Sequence, residues 1–289
     1  MSKVNYLDII KRAIAITWKN RHLWWFGLFV ALTGAGNSFS YSFGKNNNLP
    51  SNAGQKVLDF FSGHIGLVVL AVISGLILFL IFTILGIIGR GALIKSVDKI
   101  SKNELSDFKT GFRSGKKYFW RILGAGIILT LFIVVAVLIL ATPIIFLFLN
   151  KAYLLGILLV FMALIILIPL VILATYLRIY GYIYIVLGEV GVWTAIENSY
   201  MLLRKNLGVS LIMGLIFMAI GAIYGLSILM LFVPIAAIFF FIGSILYLAL
   251  KGIGIAITVF LGVITILAIA LFLRSIYETF AQAVWVFLF

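Results

Sequence analysis

The chain has 289 residues, of which 64% are apolar and only 10% charged; soluble domains are about half apolar and about a quarter charged, so most of this chain must face lipid. Its 22 Lys and Arg against 8 Asp and Glu leave a net charge of +14, which in such a chain reads as topology signals and headgroup anchors and excludes nucleic acid as the expected partner. The lack of cysteine excludes disulfides, thiolate zinc sites, iron–sulfur clusters and cysteine nucleophiles, and the long unbroken apolar blocks exclude a β-barrel, whose strands would alternate.

From Met1 to His22 the chain carries Asp8 and several basic residues, and no short apolar core leads to a small-residue cleavage site. No cleavable signal peptide is expected. Leu7, Ile10 and Ile14 line one helical face there, with Asp8, Lys11, Arg12 and Lys19 mostly opposite, the pattern of a helix lying in the membrane interface. Charge-free windows then mark the crossings, because a ~30 Å hydrocarbon core takes about 20 helical residues. They place six spans at about 22–40, 65–89, 120–145, 153–177, 207–232 and 252–274. The first is the weakest, being strongly apolar only from Leu23 to about Gly36, and the polar stretch Asn37 to Gln55 after it reads as an outer loop.

Ahead of the third span, Ser106 can cap a helix bearing Phe108, Phe112 and Phe119. Pro143 and Pro169 are expected to bend the third and fourth spans. The charge-free run from Asn206 to Leu250 is too long for one crossing, and Pro234 lies inside it. The segment Ile235 to Leu250 therefore reads as a bent outer extension or, alternatively, as a short seventh crossing. With six spans, only Lys45, Lys56, Lys151 and Lys251 fall on one side; every other Lys and Arg collects on the side of both termini. The six Trp lie near that same interface. Both features expect cytoplasmic N- and C-termini in an inner, or cell, membrane.

The chain also reads as three variations on one unit, over 4–90, 106–178 and 192–274. Each has an amphipathic helix, a basic turn (Lys19-Asn20-Arg21, Lys116-Lys117, Arg204-Lys205-Asn206), a span out, and a span back ending at Arg90, Arg178 or Arg274.

Chemistry is sparse. His22 and His64 are too far apart for a ligand pair, and the His-Glu-x-x-His, Gly-x-Ser-x-Gly and phosphate-cradling Gly-rich patterns are all missing. No charge sits in the core of any expected span, which weakens ion-coupled transport. No catalytic, cofactor-binding or metal residue is assigned, and no cofactor is expected. The one candidate constellation is Arg90, Arg178 and Arg274, converging to clamp the phosphate of a lipid or ligand with their guanidinium forks. Against it stands the plainer reading of interface anchors paired with Glu189, Glu197 or Glu278, of which Arg274 and Glu278 have i,i+4 spacing. Tyr180, Tyr182 and Tyr184 read either as a ligand-facing wall or as an interfacial aromatic belt, and Gly221-x-x-x-Gly225 permits close helix approach.

Two segments carry a resemblance. Ala195-Ile-Glu-Asn-Ser-Tyr-Met-Leu-Leu-Arg-Lys-Asn206 precedes a span, and Ala13-Ile-Ala-Ile-Thr-Trp-Lys-Asn20 precedes Trp24-Trp25. Together they resemble prokaryotic polytopic membrane families of unknown function. They are also similar to the membrane domain fused to some glycerophosphoryl diester phosphodiesterases. Those enzymes carry their active site in a separate soluble barrel, for which this chain has no room, so the activity does not carry over. The resemblance implies an inner-membrane helical protein with a link to lipid.

The expectation is an all-α, polytopic transmembrane helical bundle, a single integral membrane domain over 1–289 with amphipathic interfacial helices on the cytoplasmic side. The leading functional reading is a non-enzymatic scaffold that binds membrane lipids, with anionic headgroups on the cytoplasmic side, or a protein partner. The alternatives are a transporter or channel, which needs a polar mid-membrane cavity, and a membrane-embedded enzyme of lipid metabolism, which needs Glu189, Glu197 and Glu278 to converge.

Overall fold

A computed structural model of the chain describes residues 4–35, 63 and 65–289. Lys3, the 36–40 end of the first expected span, the polar stretch Asn37 to Gln55, Lys45, Lys56 and His64 lie outside the described residues.

The described residues form eight helices and no strand. The order is α1 (Tyr6–Lys19), α2 (Leu23–Ala35), α3 (Ile65–Ser101), α4 (Phe108–Leu149), α5 (Tyr153–Leu187), α6 (Val192–Lys205), α7 (Leu207–Leu250) and α8 (Gly252–Leu288). Five of them, α3, α4, α5, α7 and α8, are long and apolar enough to cross a membrane. The molecule is thus an all-α polytopic bundle. At 13 residues, α2 reaches only ~20 Å.

Local chemistry decides where helices break. The side chain of Asn20 ends α1 by donating from Nδ2 to the Ile16 carbonyl (3.1 Å), and Asn206 ends α6 the same way on Leu202 (3.3 Å). At the matching place in the middle unit Lys117 is followed by Tyr118, which is buried and offers no such cap. The expected turn at Lys116-Lys117 is therefore absent, and α4 runs unbroken through it. Its N-cap is Asp107 and not Ser106: the Asp107 N–H donates to Thr110 Oγ1 (3.1 Å), while the Ser106 hydroxyl is buried without a partner. Nor does Pro234 end a helix. Removing one N–H in apolar surroundings leaves the rest of the ladder intact, so α7 continues for 44 residues, and Ile235 to Leu250 extends it without turning back. Pro143 and Pro169 likewise sit inside continuous α4 and α5.

The bundle is packed at one end only. Buried side chains concentrate in the C-terminal parts of α3, α5 and α8, in the N-terminal part of α4, and around α1, α2 and α6. This is the end that carries most of the basic residues. Away from it, α4 with α5 and α7 with α8 run on as apolar hairpins with mostly exposed flanks. Such flanks are stable only against lipid.

The amphipathic segments dock mainly through small residues. Ala13 and Thr17 are the buried residues of α1, Gly111 and Gly115 are buried in the first turns of α4, and Ala195, Ser199 and Leu203 in α6. The apolar faces expected from periodicity, which in α6 is Trp193, Ile196, Tyr200 and Leu203, are only partly used: Leu203 is buried and Phe108 stacks on the buried Phe26, whereas Leu7 and Trp193 remain 69% and 72% exposed. The seats form a circuit. The start of α4 packs on α3, α6 packs on α5, and α1 packs on α8. Beside α1, α2 is bonded to α8: Ser275 Oγ donates to the Trp24 carbonyl, and Thr279 Oγ1 to that of Leu23 (3.3 Å).

Candidate functional site

Arg178 and Arg274 occupy comparable depths. Counted along the helix from the hairpin turns at Lys151 and Lys251, they lie ~35–40 Å away, just beyond a ~30 Å hydrocarbon core. Both therefore lie at similar heights, where the packed end begins.

Arg178, on α5, reaches across to α4. Its Nη2 donates to Thr130 Oγ1 (3.1 Å), whereas its Nε is buried with no hydrogen-bond partner. The guanidinium faces an open groove of about 340 Å³ that Gly126, Thr130, Val134 and Tyr182 help to line. At Gly126 the Tyr182 hydroxyl approaches so closely that a side chain there would collide with it. Arg90, on α3, holds its guanidinium 5.8 Å from the Tyr182 ring centre, within cation–π range.

Arg274, on α8, has different surroundings. Its Nε lies 3.6 Å from Glu278 Oε1, too long for a hydrogen bond, and is buried without another partner. Both charges lie beside Tyr224 and Tyr277, whose rings stack at 4.6 Å. These two tyrosines line a second open groove, of about 450 Å³, together with Ile14 and Trp18 of α1 and Phe280 of α8. Of the three arginines singled out from the sequence, the structure places Arg178 in a groove that Tyr182 also lines, sets Arg90 on the Tyr182 ring, and leaves Arg274 apart, beside Glu278 on α8. Thr130 and Tyr224 were missed. The signal for Thr130 was available, since it is the only hydroxyl from Ile122 to Ala141.

The carboxylates do not share a pocket. Glu189, in the α5–α6 turn, accepts from Lys117 Nζ (3.0 Å) and Tyr118 OH (2.5 Å), and its carbonyl accepts from Arg121 Nη1 (2.8 Å). The Tyr118 bond first, then Lys117, hold its carboxyl below the usual carboxylate range. Glu197 is exposed on α6, and Glu278 belongs to Arg274. No group of three His, Cys, Asp or Glu able to hold a metal ion exists among the described residues.

These features define a multi-pass helical membrane protein with an arginine-lined groove at its packed end. A scan against protein-family models, a search of curated proteins and a search of solved structures each find no match to the chain.

Proposed function

We propose that the chain is a non-enzymatic scaffold of the inner, or cell, membrane that holds anionic phospholipid at its cytoplasmic end. The carrying observation is Arg178: a guanidinium lining an open groove together with Tyr182, whose ring carries Arg90 on it. One of its N–H groups is taken by Thr130, and a lipid phosphate lying in the groove is a fitting acceptor for those that face it. The groove continues between α4 and α5 past Leu131 and Val134, giving an acyl chain an apolar bed. Guanidiniums match phosphate in both charge and shape.

The cytoplasmic placement rests on the distribution of the basic residues, and the likeness to membrane domains fused to lipid-diester enzymes agrees with a role at lipid. The docking of α1 on α8, α4 on α3 and α6 on α5 supports reading the chain as three related units in a ring. A groove of about 660 Å³ between α7 and α8 is lined by residues such as Phe239, Tyr247 and Val263 and by no charged side chain. It suits a hydrocarbon chain better than a polar solute.

The test is the lipid that stays with the purified chain. Arg178→Gln combined with Arg90→Gln is expected to lower retained phosphatidylglycerol about tenfold, the value of one charge-assisted contact, at unchanged helicity. Equal retention by wild type and variant would overturn the proposal.

A further inference from the structure

The uncharged part of α4, from Ile122 to Leu149, rises ~42 Å, and a bilayer with both headgroup layers is ~40–45 Å thick. The first turns of the same unbroken helix, Phe108 to Arg121, therefore stand outside the membrane; a tilt of ~20° shortens these lengths by only about 6%. Along this projecting part Lys109, Arg113, Lys116 and Trp120 recur at i, i+4, i+7 and i+11, on one helical face. All four are exposed, Trp120 by 77%. Lys117 and Arg121, beside the row, are taken by Glu189. Lys109, Arg113 and Lys116 have no carboxylate partner among the described residues, whose ion pairs lie elsewhere. The row climbs ~17 Å from Trp120, at the membrane edge, to Lys109. Arg113 and Lys109 thus stand ~12–18 Å beyond the headgroups, farther than their side chains reach back.

We infer that this row is a docking face for an acidic helix of a soluble protein. The partner lies along α4 with carboxylates opposite Lys109, Arg113 and Lys116 and an apolar side chain on Trp120. Charge complementarity selects it. A second copy of this chain does not fit, because its 8 acidic residues include no three at i, i+4 and i+7. Nucleic acid fits poorly: three cations and one ring on a convex helix supply neither the charge count nor the stacking platform that such binding uses. Spacing of 4-3-4 is what a second helix meets along its length, and an exposed tryptophan at the foot of a cationic row is a suitable anchor. The inference goes beyond the lipid-holding reading and does not depend on it, since the heights are counted along α4 alone.

The experiment places the full-length chain in phosphatidylcholine nanodiscs and titrates a labelled helical peptide with glutamates at i, i+4 and i+7 and a leucine at i+11. Wild type is expected to bind it about tenfold more tightly than a scrambled peptide of the same composition, as three exposed ion pairs predict. Lys109→Gln, Arg113→Gln and Lys116→Gln together remove that preference at unchanged melting temperature, all three side chains being exposed. Lys11→Gln, Lys19→Gln and Lys205→Gln, an equal loss of charge elsewhere, keep it. Trp120→Ala weakens the ordered peptide about tenfold. Equal binding of the two peptides, or equal loss in the two triple variants, would leave only net charge and overturn the inference. A single-stranded RNA held more tightly than the peptide, and lost with the row, would overturn it in favour of nucleic acid. Because the chain has no cysteine, a fluorophore on Lys109→Cys reports the surroundings of the row. Iodide in solution is expected to quench it and a nitroxide on the lipid headgroup is not; the reverse would give the row to the membrane surface. Arg90→Gln with Arg178→Gln leaves peptide binding intact, so the two readings fail separately.

Discussion

Glu189 shows how single residues hold the packed end together. It stands in the left-handed region (φ 54°) between α5 and α6, and bonds from Tyr118, Lys117 and Arg121 tie that turn to α4. Because its carboxyl is held below the ordinary value, its contribution is complete above the unfolded value of ~4.3 and fades as pH falls through the folded one. The hydrogen-exchange protection factor of the α5–α6 turn should thus be flat from pH 6 to 8 and fall in acid below about pH 4; a turn equally protected throughout would refute the tie. Ser210 is a second such point. Tyr176 OH donates to its carbonyl and Tyr180 OH bonds its hydroxyl, both at 2.9 Å, seating the start of α7 on α5. Ser210→Ala strands the Tyr180 hydroxyl and should lower stability by about 1–3 kcal/mol, read as thermal melting in detergent. Lys251 offers the opposite case. Its φ of 52° and ψ of −131° suit glycine, so Lys251→Gly should raise stability by about 1 kcal/mol.

At the scale of elements, close packing at small residues dominates. Gly27 of α2 sits so near the Ser275 carbonyl of α8 that a methyl group there would collide with backbone, which cannot rotate away. Gly27→Ala is therefore expected to destabilise the α2–α8 contact by about 1–3 kcal/mol, seen as a lowered melting temperature, whereas Gly208→Ala, which meets open space, should not. This is also where the sequence was least legible. Charge-free windows pointed to every long helix, because a run of apolar residues between basic ends has one stable home in lipid. The docking faces were only partly legible because apolar periodicity marks Leu203, which is buried, together with Leu7 and Ile14 or Trp193 and Tyr200, which face outward, while Ala13, Thr17, Ala195 and Ser199 make most of the contacts. In a membrane, bulk and apolarity no longer signal burial, and smallness does. The unbroken start of α4 hinged on the absence of one asparagine.

For the whole molecule, the basic residues were the most legible feature, and they make a topology prediction that this chain is suited to test. It contains no cysteine, so single replacements carry unambiguous labels. Lys151→Cys and Lys251→Cys should react in intact cells with an impermeant maleimide, and Lys102→Cys only after lysis; the inverse pattern would turn the protein over in the membrane. The partnership of Arg90 with Tyr182, by contrast, was invisible, since it joins two spans far apart in the chain through packing that no local pattern encodes. The bonds from Ser275 and Thr279 back to α2 span 251 and 256 positions, and they set an order of events for a growing chain. At ~5–20 residues per second, a ribosome needs roughly ten to fifty seconds to deliver the acceptor's mate. Throughout that interval a short apolar rod waits without its seat, so its arrest in place reports that α8 has been made.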